Sequence, residues 1–165
     1  MKIIVDAMGG DNAPDEIIKG CALALEEFDI DEIILLGDEK AVQNSVEKNN
    51  VPLDKFRIVH CSEVIGNCDE AKTVLKGKPD SSMSVGFRML NDGEGDAFVS
   101  AGNTGALHAG STLIVRRIKG IQKSAIATVL LCRAQTNRFC LWTAVQTPNV
   151  RASICISSDS WVHFI

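Results

Sequence analysis

Apolar residues fall along this chain in two alternating rhythms. Short apolar or β-branched runs at residues 2–5, 32–36, 56–61 and 96–100 read as strands. Between them the apolar positions take helical spacing, as with Ile17, Ile18, Cys21, Leu25 and Phe28 inside a helix expected over residues 13–28. Asp11 or Asn12 is placed to cap that helix, and Asp15 and Glu16 suit its positive end. Further helices are expected over residues 39–48, from Ser81 or Ser82 to Asn91, and over a long stretch at 104–118. Residues 62–77 read as a loop with a short helix near 70–75. Each strand lies too far from the next for a hairpin, so pairing should be parallel through crossover helices. The expected fold is α/β, a doubly wound, mostly parallel sheet with helices on both faces.

In such sheets ligands bind beyond the carboxyl ends of the strands, where glycine-rich turns feed helix starts. Two turns fit: D-A-M-G-G-D-N-A-P at 6–14 and S-A-G-N-T-G-A at 100–106. A helix start offers unpaired N–H groups and about half a positive charge, a natural seat for phosphate. Gly102 and Gly105 would let backbone approach the anion, Asn103 and Thr104 would add side-chain donors, and the plainer alternative is that these glycines only make tight turns. The pattern is neither G-x-G-x-x-G nor a P-loop. A third candidate is K-G-K-P-D-S-S-M at 76–83, where Lys78, Ser81 and Ser82 could converge on an anion or merely form a solvated loop with a serine cap.

Composition narrows the classes. A net charge of −4 with no basic stripe gives no support for nucleic-acid binding. The opening M-K-I-I-V-D is a strand start rather than a secretory leader, and no run approaches the roughly 18 apolar residues of a membrane span. A cytoplasmic protein is expected. Six cysteines form no C-x-x-C pair and should all be reduced. His60 sits on a strand, His108 one turn into the last helix, and His163 near the end; none is expected to catalyse. Arg116 and Arg117 read as a solvated or capping pair.

The two glycine turns, C-S-E-V-I at 61–65, K-x-x-S-S-M at 78–83 and R-I-K-G-I at 117–121 occur in one order and spacing. Together they resemble the phosphate acyltransferases of the PlsX type, over residues 1–130. That resemblance implies transfer of a fatty acyl group from acyl carrier protein to inorganic phosphate, giving acyl phosphate for phospholipid synthesis. It also implies a fold like that of isocitrate and isopropylmalate dehydrogenases, a cytoplasmic homodimer, and room for peripheral membrane association. Phosphate is itself the nucleophile, so no metal or cofactor is expected. Asn103 and Thr104 are then the candidate catalytic residues. Ser100, Gly102 and Gly105 would cradle phosphate with help from Lys78, Ser81 and Ser82, and Asp6, Gly9, Gly10 and Asn12 would shape the neighbouring wall.

After Leu130 the composition shifts: only Arg133, Arg138, Arg151 and Asp159 are charged, and both tryptophans appear. The resemblance stops there. Residues 131–165 are expected to be a tail read in a shifted frame, since the codons of Trp142-Thr143 and Trp161-Val162 force Asp and Gly at a family-like separation in another frame. On that expectation the chain is a truncated enzyme, poorly ordered after residue 130 and without assured activity. Two rivals remain: a phosphotransacetylase- or dehydrogenase-like relative on the same fold, and a non-catalytic anion-binding fragment.

Overall fold

A computed structural model describes residues 1–117, 119, 126–131 and 139–144 of the chain. Four strands, β1 (Lys2–Asp6), β2 (Glu32–Gly37), β3 (Phe56–His60) and β4 (Ala97–Val99), pair in parallel in the order β3-β2-β1-β4. The register sets Ile4 beside Ile34 on one side and Phe98 on the other. The helices are α1 (Asp15–Glu27), α2 (Glu39–Lys48), α3 (Thr73–Lys76), α4 (Ser82–Asn91) and α5 (Thr104–Gly110).

The central strands read as continuous apolar runs because both faces of the sheet are covered. Val5, Ile33 and Leu35 point to one face and pack with Ile18 and Cys21 of α1 and Val42 and Val46 of α2. Their neighbours Ile4, Ile34 and Leu36 point to the other face and pack with Met89 of α4. This period-2 division between two helical layers produces the doubly wound α/β architecture.

A third cluster lies beyond the sheet and builds the scaffold of the loops. Ile65, Val74, Met83, Phe87 and Ala106 bring α3, α4 and α5 together. Glycines let these elements approach: a Cβ on Gly86 would fall 2.4 Å from a ring carbon of Phe98, and one on Gly110 would fall 2.1 Å from a ring carbon of Phe87. The two rings meet edge to face with centroids 4.9 Å apart.

Several boundaries differ from the sequence reading. Neither Asp11 nor Asn12 caps α1 with its side chain; Pro14 is the cap residue, and the main-chain carbonyl of Asn12 accepts from Glu16 N at 3.2 Å. The long helix expected over 104–118 is α-helical only to Gly110, widens to a π-turn over Ser111–Val115, and stops where Arg116 takes φ 72°. Of the tail, Phe139–Ala144 forms β6, antiparallel to β5 (Ile126–Leu131), although no regular element was expected there from its pattern. The rest of the tail, including His163, Cys132 and Cys155, lies outside the described residues, as does most of the R-I-K-G-I motif.

Among the described residues no helix is long and apolar enough to cross a membrane. Cys21, Cys61 and Cys68 are free thiols. Burial pushes the Cys21 and Cys61 thiols up to about 11. At pH 8, Cys68 should alkylate readily in the native chain while Cys21 and Cys61 react only on unfolding, which peptide mapping after pulsed iodoacetamide will read. Gly110→Ala should lower stability by about 1–2 kcal/mol, because crowding the Phe87 ring costs more than the helix gains from alanine. Urea midpoints measure it.

Candidate active site

The chain winds from β1 through β2 to β3 in one direction and then crosses back to place β4 on the other side of β1. The carboxyl ends of β1 and β4 therefore flank a topological switch point, where α/β sheets hold ligands. A cleft of about 480 Å³ opens there, lined by Gly10 and Asp11 of the first turn, by the segment Ala101, Gly102, Asn103, Thr104 and Gly105, and by Asn67.

The seam between the two turns is fixed by a buried carboxylate. Asp6 is 2 % exposed. Its Oδ2 accepts from Ser100 Oγ at 2.7 Å and its Oδ1 accepts from Met8 N at 3.1 Å. Ser100 Oγ in turn accepts from Gly102 N at 3.1 Å. Gly9 fills the remaining space: a Cβ there would sit 2.5 Å from Asp6 Oδ2 and 2.9 Å from Gly102 N. Gly10 follows at φ 115°, a conformation that favours glycine. Asp6, Gly9 and Ser100 thus hold the walls, while Gly10 lines the space. Asn12 does not line it.

Asn103 differs from the expectation of a free side-chain donor. Its Oδ1 accepts from Ala106 N at 3.0 Å, capping α5. Its Nδ2 donates to the carbonyls of Asp69, Gly66 and Asn67 at 2.9, 3.1 and 3.4 Å. Both ends of the amide are committed, so Asn103 organises the cleft from within its wall. The N–H groups of Thr104 and Gly105, in the first turn, have no intrahelical acceptor and remain as donors, with the exposed Thr104 hydroxyl beside them.

Lys78, Ser81 and Ser82 are not brought to the cleft. Lys78 Nζ bonds Asp69 Oδ2 at 2.6 Å and the Val64 carbonyl at 2.7 Å. Ser81 and Ser82 are buried at the start of α4, where Ser81 Oγ accepts from Ser84 N and donates to the Lys78 carbonyl. These residues form an internal cap and a brace, with their hydrogen bonds made inside the fold. His108 does not line the cleft either. His60 ends β3 with its Nδ1 accepting from Glu39 N at 3.3 Å.

Sequence reading missed Asp11 as a lining group and Asn67 altogether. Asn67 Nδ2 donates to Asp11 Oδ1 at 3.2 Å, bridging the first turn to the 66–69 loop. The local composition G-N-C-D marks a turn, and Asp69 Oδ2 accepts from Gly66 N at 2.9 Å. Its place at the cleft depends on Asn103, 36 residues away, which no local pattern reports.

Hydrogen bonds from Lys78, and then from the Gly66 amide, hold the Asp69 carboxyl below its usual range. A carboxyl lowered on folding contributes stability that is present above its unfolded value, about 3.9, and is lost as pH falls through the lower folded value. The stability difference between wild type and Asp69→Asn should therefore persist from neutral pH to about pH 4 and shrink below it. Urea midpoints across pH 2.5–7 test this; a gap that stays constant to the acid end would refute it.

Comparison with known proteins places the chain. A family model described as "Fatty acid synthesis protein" matches residues 1–143. Phosphate acyltransferase of Caldicellulosiruptor bescii is 49% identical over 130 residues, covering 79% of this chain and 39% of that protein. The phosphate acyltransferase of Acetivibrio thermocellus is 45% identical, covering 81% and 40%. That of Clostridioides difficile is 37% identical over 159 residues, covering 96% and 42%. The alignments thus differ in length, and the chain spans about two fifths of the length of these curated relatives. With the family model matching most of its residues, the chain belongs to the fatty acid synthesis protein family.

Proposed function

We propose that the cleft between the two glycine turns holds inorganic phosphate against a fatty acyl thioester carried by acyl carrier protein, the chain supplying this part of a phosphate acyltransferase. The observation that carries the reading is the cleft at the β1–β4 switch point, walled by main chain and opening on the first turn of α5, in a chain whose relatives bear the name phosphate acyltransferase. In the reaction a phosphate oxygen attacks the thioester carbonyl, the C–S bond breaks, and its electron pair leaves on sulfur. Phosphate brings its own nucleophile and a thiolate leaves readily, so the protein's task is to position the anion and stabilise the oxyanion. Supporting this reading, Thr104 and Gly105 line the cleft in the first turn of α5, and Gly10 lines it from the other turn.

The product would be acyl phosphate for phospholipid synthesis, with no metal or cofactor in the step. The finer fold is that of the isocitrate and isopropylmalate dehydrogenases, and the setting a cytoplasmic homodimer that works near the membrane receiving its product.

The test is hydroxylamine trapping of acyl phosphate from acyl carrier protein thioester and inorganic phosphate, using this chain and the Caldicellulosiruptor bescii enzyme in parallel. Asn103→Ala, made at the matching position of the longer enzyme, should lower kcat/KM by about 10²-fold, because the cap and the loop anchor are lost together. Turnover unchanged by that substitution would sink the assignment of the cleft.

A further inference from the structure

Of the residues lining the cleft, Asp11 carries the one ionisable side chain among the described residues. It is exposed and follows Gly10, whose φ of 115° turns the chain there. Asn67 Nδ2 donates to its Oδ1 at 3.2 Å. That bond steadies the carboxylate and leaves the lone pairs of its second oxygen available. An anion site walled by amides and one carboxylate treats tetrahedral anions unequally. Main-chain N–H groups suit ionised oxygens, whereas a carboxylate accepts only, so it repels a bare oxyanion and welcomes one that keeps a proton. Inorganic phosphate retains at least one P–OH at neutral pH; sulfate retains none.

From this juxtaposition we infer that Asp11 is a specificity-determining residue, accepting a hydrogen bond from the protonated oxygen of phosphate and excluding fully ionised tetrahedral anions such as sulfate. The inference rests on the phosphate reading above and adds the basis of selection. Asn67 is its positioning residue, holding the carboxylate toward the ligand across the cleft. The remaining oxygens of phosphate then face the Thr104 and Gly105 amides.

Isothermal titration of the 165-residue chain with inorganic phosphate and with sulfate, at constant ionic strength in EDTA, tests it. Wild type should prefer phosphate by about tenfold or more. Asp11→Asn, nearly isosteric at an exposed position, should cut that preference about tenfold by weakening phosphate and admitting sulfate; Asp11→Ser should do the same. Amide shifts at Gly10 and Thr104 should locate both anions in the cleft. An unchanged phosphate-to-sulfate ratio in both variants, with phosphate still bound, overturns the role of Asp11 alone. Phosphate binding that appears only when magnesium replaces EDTA overturns it in favour of a bridging cation. Failure of wild type to bind either anion overturns this inference together with the phosphate reading.

Discussion

At the carboxyl ends of β1 and β4 two backbones come so close that no side chain fits between them, and the rest of the site is built on that approach. Gly9 and Gly102 meet there, with a Cβ on Gly102 only 3.3 Å from Gly9 Cα. Asp6 spans the same seam by accepting from Ser100, which in turn holds the Gly102 amide. A buried carboxylate is tolerable because its oxygens are occupied by hydrogen-bond donors. Its bonds fix the relative height of the two turns, and so the position of the first amides of α5. The sheet alone would bring the turns to the same end; the seam sets their separation.

For the anion site proposed above, the electrostatics of the cleft are unusual. Lys78, the candidate cation from the motifs, is spent on Asp69 and the Val64 carbonyl. Among the described residues the cleft is lined by main chain, the Asn67 amide, the Thr104 hydroxyl and one carboxylate. Main-chain donors need no reorganisation when charge develops in a reaction, which is an advantage over flexible lysines.

Much of the fold was legible because the strands are apolar on both faces and the helices on one, so the two periodicities separate cleanly along the chain. Ile4 and Val5, or Ile34 and Leu35, carry that signal directly. The glycine turns were legible as turns, and their convergence followed from parallel pairing. The roles of individual side chains were less so. Asn103 looks from sequence like a donor awaiting a ligand, yet long-range carbonyls claim it. Ser81 and Ser82 look the same at a surface helix start and at a buried one; the third apolar cluster decides, and it assembles only in three dimensions. Asn67 was invisible because its partners lie 56 and 36 residues away.

The way the 66–69 loop is tethered also fixes one wall of the cleft. Ile65 is anchored in the apolar cluster on one side, and Asp69 is tied to Lys78 on the other. The short bridge between them is pinned as well, because Asn103 Nδ2 donates to the carbonyls of Gly66, Asn67 and Asp69. The Asn67 side of the cleft is therefore held from both flanks and from α5 at once, so a change at Asn103 would reshape that wall without touching the sheet.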